Sequence, residues 1–148
     1  MHNVRILMAL IIASTGVNQA LADGGRDYDS RLAPFQELID DEKYQAAIDK
    51  LQVALEESPD NADLLNLTAY SQRKLERYDE ALINYTKALE IDPEHLGANE
   101  YLGELYLQMG ELDKAVERLN VLDDACFFGC EEFDELKEEI EAYRAKNQ

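Results

Sequence analysis

The chain has 148 residues, with 14 Lys and Arg against 32 Asp and Glu, and a formal net charge of −18 at pH 7. That length suits a single domain, and a hydrophobic fraction of 46% is enough to form a core, so the acidity does not indicate disorder. The negative charge repels nucleic-acid phosphates and anionic lipid headgroups. We therefore expect neither nucleic acid nor a membrane surface as the partner of the processed protein.

The first 22 residues follow the pattern of a secretory signal peptide. Arg5 is their only charged residue, an apolar run follows at 6–13, and Ala20 and Ala22 stand at the two positions that a signal peptidase reads. The run is too short to cross a bilayer, which needs about 20 residues. We expect cleavage after Ala22, export to the periplasm (or secretion otherwise), and a flexible arm at 23–30.

The rest of the chain contains an internal repeat with a period of 34 residues. Its landmarks recur in register, as Tyr44 and Tyr78, Ala47, Ala81 and Ala115, Ala54 and Ala88, and Pro59 and Pro93. This pattern resembles the tetratricopeptide repeat, a helix–turn–helix unit of that length. The resemblance implies an all-α, right-handed α-solenoid of about three repeats, at 31–59, 60–93 and 94–127.

Residue spacing independently favours helices. Apolar residues recur at steps of three and four along 78–89, which is the 3.6-residue period of an amphipathic helix. Pro59 and Pro93 should end the second helix of their repeats, and Asn61 can cap the next helix. Pro34 is expected in the first turn of a short helix at about 33–41, because an interior proline costs a helix about 3 kcal/mol.

The repeat pattern stops after residue 127, and residues 128–148 are predicted to form a turn and a capping helix. Phe133, Leu136, Ile140 and Tyr143 make one apolar stripe on an otherwise acidic segment. A stacked array needs such a helix, because its last repeat would otherwise expose an apolar face. An acidic segment that recruits a partner is the alternative.

Cys126 and Cys130 are the only two cysteines in the chain. In an exported protein such a pair is expected to form a disulfide, here one that fixes the turn before the capping helix. A metal site would lack further ligands nearby, and a redox-active pair would want a C-x-x-C motif on a βαβ unit. Both remain as alternatives to the structural disulfide.

No pattern in the sequence indicates catalysis, a cofactor or a metal. His95 has no nucleophile nearby to activate, and the paired carboxylates are dense enough to be solvated helix faces. We therefore predict a protein that is not an enzyme.

The resemblance implies a concave groove, lined by the first helix of each repeat, that binds a protein or peptide. The binding candidates from the repeat register are Asn66, Tyr70, Arg73, Lys74, Glu100 and Glu104. Further groove-facing candidates are Gln36, Ile39, Asp63, Leu107 and Gln108. The positions with which some repeats of this family grip a C-terminal carboxylate hold Leu32, Gln36, Leu67, Gly97 and Tyr101, so that activity is not supported.

Arg73 and Lys74 are adjacent bases on an acidic chain, and they predict a positive patch that orients an acidic partner. Alternatively, both bases pair with nearby acids such as Glu76. The leading hypothesis is an exported, non-catalytic adaptor that binds a protein or peptide partner of unknown identity. A thiol–disulfide or metal-handling accessory protein using Cys126 and Cys130 is the main alternative. Self-association through the acidic capping helix is a third hypothesis.

Overall fold

The computed structural model describes residues 30–147, so the predicted signal peptide and nearly all of the predicted arm lie outside the described residues. Seven helices and no strand occur within 30–147. In chain order they are α1 (Ala33–Asp40), α2 (Tyr44–Glu57), α3 (Ala62–Lys74), α4 (Tyr78–Ile91), α5 (Leu96–Gln108), α6 (Leu112–Ala125) and α7 (Glu131–Lys146). The prediction of an all-α helical solenoid is confirmed.

The first six helices pack in consecutive pairs, and the pairs stack on one another. The first helices of the pairs, α1, α3 and α5, contact each other in sequence and form one layer. Ala47, Ala81 and Ala115 are completely buried at equivalent positions of the second helices. A methyl side chain lets two helix backbones approach closely, which explains why alanine recurs at the repeat period.

Local signals set the helix ends where the sequence predicts them. Pro34 lies in the first turn of α1, where its missing N–H would have no helical partner. The side-chain oxygen of Asn61 accepts a hydrogen bond from the Leu64 N–H at 3.0 Å and caps α3. Helices α2 and α4 end two residues before Pro59 and Pro93. Each helix therefore ends before its proline, because proline disfavours the helical conformation of the residue that precedes it.

The turn inside each repeat uses a left-handed residue at the same repeat position. Glu42, Glu76 and Gly110 have φ angles of 58°, 59° and 79°. Only glycine adopts this conformation without a steric penalty, so the first two repeats keep their turns at a local cost.

Gln72 occupies a buried position, whereas the third repeat has Tyr106 at the equivalent place 34 residues later. Its side chain accepts a hydrogen bond from Asn84 Nδ2 at 2.8 Å and donates one to Glu80 at 3.3 Å. These bonds tie α3 to α4, because both partners lie on the second helix of the pair. Polar links therefore replace aromatic packing in the middle repeat.

The last helix, α7, covers the open end of the array by packing on α5 and α6. Leu136 and Ile140 are buried on its inner face, and its acidic residues lie mostly on the outer one. Gly103 of α5 makes the contact possible, since a Cβ there would lie 2.5 Å from Leu136 Cδ2. Acids in the first turn and bases in the last turn suit the helix dipole.

Candidate functional site

A groove with a volume of about 650 Å³ runs along the layer formed by α1, α3 and α5. Side chains from these helices, from their neighbouring turns and from the first turns of α2 and α7 line it. The lining residues are Leu32, Gln36, Ile39, Asp40, Glu42, Tyr44, Asp63, Asn66, Leu67, Tyr70, Lys74, His95, Leu96, Gly97, Tyr101 and Glu132. The five carboxylate-gripping positions of the repeat all lie in this groove, and none of them holds a lysine, arginine or asparagine.

Three tyrosines, one each from α2, α3 and α5, form a ladder along the groove. The Tyr70 ring lies 4.8 Å from the Tyr101 ring and 6.5 Å from the Tyr44 ring, centroid to centroid, at tilted angles. Rings in this arrangement attract one another and hold each other in place. Partial burial raises the pKa of Tyr70, so its hydroxyl is a neutral hydrogen-bond donor at physiological pH.

Lys74 is the one lysine among the described residues that line the groove, and it is exposed. Its ammonium group lies 6.0 Å from the centroid of the Tyr44 ring and 5.8 Å from that of Tyr70. Both distances allow a cation–π attraction, which keeps the ammonium group beside the aromatic ladder.

Arg73 differs from the expectation of a solvent-facing base. Its side chain is only 5% exposed and forms an ion pair with Glu104, Nη1 to Oε2 at 2.6 Å. The guanidinium group also lies over Tyr70 and Tyr101, 5.3 and 5.7 Å from their centroids. Arg73 therefore supports the ladder from behind, and the predicted positive patch reduces to Lys74. The predicted alternative of pairing applies to Arg73, with Glu104 as its partner.

Burial and charge act in opposite directions on this ion pair. Burial on its own lowers the pKa of Arg73, but Tyr85 and Glu104 beside the guanidinium raise that pKa above its ordinary value. Burial raises the pKa of Glu104, and Arg73 opposes the rise without cancelling it. Burial also raises the pKa of Tyr85, whose phenol is completely enclosed beside Arg73. Burial therefore penalises both charges of the pair, and the attraction between them opposes that penalty.

The other predicted binding residues lie at different depths. Asn66 lines the groove but is 6% exposed, and its Oδ1 accepts no hydrogen bond from any described residue. Glu100 is 1% exposed and does not line the groove. Of the further candidates, Gln36, Ile39 and Asp63 line the groove. Leu107 and Gln108 do not, since Leu107 is buried in the core that α5 shares with α6 and α7 and Gln108 is exposed outside the groove.

Sequence reasoning missed most of the acidic rim. Asp40, Glu42 and Glu132 line the groove although no motif marks them. Asp40 ends α1, Glu42 lies in the turn that follows it, and Glu132 lies in the first turn of α7. His95 also lines it and caps α5, because its Nδ1 accepts a hydrogen bond from the Ala98 N–H at 3.1 Å. Its Nε2 lies 3.1 Å from Asp63 Oδ1 in the preceding repeat. The repeat register could have placed His95 at a helix start, beside the Asp63 position.

Cys126 and Cys130 form the predicted disulfide, with their Cα atoms 5.6 Å apart. It closes the turn between α6 and α7, outside the groove. Phe127 and Phe128 lie in this turn and are 87% and 96% exposed, with their rings in edge-to-face contact. Within residues 30–147 there is no cluster of three or more His, Cys, Asp or Glu side chains suited to a metal ion. Over the same range, none of the helices is both long and apolar enough to cross a membrane.

Comparison with known proteins gives a consistent family. Two sequence models described as tetratricopeptide repeat match residues 32–95 and 72–125, which together span most of the described chain. No curated protein matches the sequence significantly.

Several solved structures share the fold. The type III secretion translocator chaperone SycD of Yersinia enterocolitica has a TM-score of 0.69 at 18% identity, over 78% of this chain and 81% of that one. The Sgt2 TPR domain from Aspergillus fumigatus has a TM-score of 0.69 at 23% identity, over 78% and 75%. PcrH in complex with the chaperone binding region of PopD has a TM-score of 0.67 at 18% identity, over 78% and 90%. At these identities the likeness establishes the fold alone.

Proposed function

We propose that this chain, which belongs to the tetratricopeptide-repeat family, is a non-catalytic scaffold whose groove binds a segment of a partner protein. The observation that carries the proposal is the tyrosine ladder that lines the groove, formed by Tyr44 of α2, Tyr70 of α3 and Tyr101 of α5. Tyrosines offer a large apolar contact with a polar tip at little cost in side-chain entropy, and such residues dominate binding energy at protein interfaces.

The groove is also preorganised, because its lining side chains are held in place without a ligand. Arg73 and Glu104 hold the ladder from below, and the buried Leu67 forms part of the apolar floor. A binding surface that is ordered in the free protein loses less entropy on association. The complex of PcrH with the chaperone binding region of PopD supports this use of the fold in another protein.

Site-specific photo-crosslinking tests the proposal. A benzophenone amino acid replaces Gln36, which lines the groove, or Val53, which is exposed and outside it. The protein is then irradiated in the cells that produce it, and adducts are identified by mass spectrometry. We expect adducts with one protein at Gln36 and none with that protein at Val53.

Two tyrosine variants make the crosslinking result specific. Tyr70→Ala should abolish the adduct at Gln36 because it removes the centre of the ladder. Tyr106→Ala should keep it, since Tyr106 lies under Lys114 at 5.2 Å and outside the groove. Adducts that are equal at Gln36 and Val53, or that survive Tyr70→Ala unchanged with normal helicity, would refute binding in the groove.

We also propose that the chain is exported to the periplasm, or secreted otherwise, after removal of residues 1–22. The support is the apolar run at 6–13 and the Ala20 and Ala22 pair in the sequence. N-terminal sequencing of the extracytoplasmic protein should begin at Asp23. An extracytoplasmic form that retains Met1 contradicts this proposal.

Self-association at the capping helix is a second candidate function, and the exposed Phe127 and Phe128 favour it. Two exposed phenylalanine rings form an apolar patch, and burying that patch against a second copy of the chain would be favourable. Light scattering after gel filtration tests the candidate. A dimer that dissociates in the Phe127→Ser/Phe128→Ser variant would support it, and a monomer in both proteins would exclude it.

A further inference from the structure

The charged side chains that line the groove are strongly unbalanced. Among the described residues, four carboxylates line it against the single lysine Lys74. The four are Asp40, Glu42, Asp63 and Glu132. We propose that the groove selects a basic, apolar segment of its partner, in which lysine or arginine side chains alternate with leucine or phenylalanine. This inference rests on the proposed function and specifies the ligand of the same groove.

Burial of Arg73 decides the sign of this preference. The adjacent bases Arg73 and Lys74 would together favour an acidic ligand if both faced the groove. Arg73 instead is only 6% exposed, and its guanidinium group pairs with the Glu104 carboxylate, Nη1 to Oε2 at 2.6 Å. A charge that is paired and buried contributes little to the potential at the surface. The carboxylates of the rim therefore outnumber the available bases.

Three of the four rim carboxylates, those of Asp40, Glu42 and Asp63, are exposed and accessible to a ligand. Asp40 and Glu42 are exposed residues at the end of α1 and in the turn that follows it. The Asp63 side chain is 56% exposed even though His95 lies beside it. Cationic side chains of a ligand can therefore pair with them at the edge of the groove. The overall charge of −18 adds a long-range attraction for the same ligand.

The floor of the groove suits the rest of such a segment. Leu32, Ile39 and Leu67 are buried or nearly so, and they offer an apolar surface to leucine or phenylalanine side chains. The faces of the tyrosine ladder attract guanidinium and ammonium groups as well as apolar ones. Lys74 covers part of the Tyr44 and Tyr70 rings, and side chains of the ligand can contact the remaining ring surface.

Asn66 adds an independent indication that the ligand supplies hydrogen-bond donors. Its Oδ1 is buried at the groove and accepts no hydrogen bond from the described protein residues. Buried acceptors without a partner are uncommon, because an unmet hydrogen bond costs about 1–3 kcal/mol. A backbone N–H or a cationic side chain of the ligand would satisfy this oxygen if the Asn66 amide turned toward the groove on binding, whereas a carboxylate would not.

Three synthetic peptides of equal length test the inference. They share the same leucine and phenylalanine positions and carry lysine, serine or glutamate at all remaining positions. Affinities are measured by fluorescence anisotropy with the protein beginning at Asp23, at low and at physiological salt. We expect the lysine peptide to bind about ten-fold more tightly than the serine peptide at physiological salt, and the glutamate peptide to bind most weakly. The preference should fall as salt rises.

A matched pair of double variants separates the groove from the general acidity of the chain. Asp40→Asn/Asp63→Asn removes two rim charges, and Asp49→Asn/Asp79→Asn removes two charges elsewhere. Asp49 matches Asp40 because each accepts a hydrogen bond at 2.8 Å from the glutamine four residues earlier. Asp79 matches Asp63 because each lies in the first turn of its helix.

We expect the rim variant to weaken binding of the lysine peptide about five-fold and the control variant to change it less than two-fold. The inference is overturned if the glutamate or serine peptide binds as tightly as the lysine peptide, if the two double variants behave alike, or if the lysine peptide does not bind. The crosslink at Gln36 decides the proposed function separately, since it does not depend on the charge of the ligand.

Discussion

Arg73 of α3 and Glu104 of α5 form an ion pair across two repeats, with their charged atoms 2.6 Å apart and their side chains 5% and 23% exposed. The pair lies directly behind Tyr70 and Tyr101, whose rings face the groove. Stability of the stack and the shape of the candidate site therefore depend on the same two side chains.

Removing either partner alone should destabilise the fold. Arg73→Met leaves the carboxylate of Glu104 partly buried without a base, and we expect the free energy of unfolding to fall by about 2–3 kcal/mol. The double variant Arg73→Met/Glu104→Leu should recover most of that loss, because an apolar pair needs no desolvation of charge. Urea unfolding followed by circular dichroism measures both variants. Lys43→Ala breaks an exposed pair with Asp41 and should cost less than about 0.5 kcal/mol. Equal losses in the single and double variants would contradict this account.

The destabilisation by Arg73→Met should depend on pH. Burial raises the pKa of Glu104 in the folded protein, and loss of Arg73 should raise that pKa further. A group whose folded pKa is raised stabilises the fold below its unfolded pKa, and that contribution is lost as the pH rises through the folded pKa. The difference in the free energy of unfolding between wild type and Arg73→Met should therefore grow from about pH 5 to about pH 7. Arg73→Met/Glu104→Leu should show no such growth, and a difference that shrinks over this range would be inconsistent with the argument.

The disulfide between Cys126 and Cys130 should protect both sulfur atoms from alkylation and modestly stabilise the end of the array that α7 caps. Alkylation without reductant should leave both cysteines unlabelled. Because the closed loop is small, reduction should remove about 2 kcal/mol and lower the melting temperature by about 8 °C. The variant Cys126→Ser/Cys130→Ser should have the melting temperature of the reduced protein, and reductant should not change that temperature. Rapidly alkylated thiols in the extracytoplasmic protein would instead favour the metal or redox alternative.

Gly103 should be required for the capping helix to dock. A Cβ at this position would lie 2.5 Å from Leu136 Cδ2 and 3.2 Å from its Cγ, inside a fully buried contact. We expect Gly103→Ala to cost about 1–3 kcal/mol despite the better helix propensity of alanine. Leu136→Ala alone should cost about 2–4 kcal/mol through the cavity it leaves.

The double variant Gly103→Ala/Leu136→Ala provides the decisive comparison for this contact. The smaller residue at 136 makes room for the new methyl group, so the double variant should be more stable than the sum of the single losses predicts. Simple additivity in thermal or urea unfolding would show that the two residues do not meet.

Glu76 should tolerate glycine better than any helical glutamate does. Its φ of 59° is left-handed, so Glu76→Gly relieves a steric cost and should leave stability unchanged or raise it by up to about 1 kcal/mol. Glu117→Gly is the matched control, because Glu117 is exposed in the middle of α6. That change should lower stability by about 1 kcal/mol. A loss at Glu76 as large as that at Glu117 would argue against the left-handed turn.

Local signals in the sequence were enough to predict the architecture. The recurrence of Ala47 and Ala81, the Asn61 cap and the position of Pro34 in α1 depend on residues that are neighbours along one helix or one turn. Such signals act over short distances, so the chain order alone carries them. The disulfide was predictable for the same reason, since Cys126 and Cys130 are four residues apart.

The charge of the groove was decided only by tertiary structure. Arg73 and Lys74 are neighbours in sequence, yet one is buried against Glu104 and the other lies open beside Tyr44 and Tyr70. Their exposure depends on how α3 rotates against α5, and no local pattern encodes that rotation. The acidic rim likewise assembles from α1, α3 and α7, segments far apart along the chain. The sequence alone therefore determined that a groove should exist, and the packing of helices from different repeats decided which charges face it.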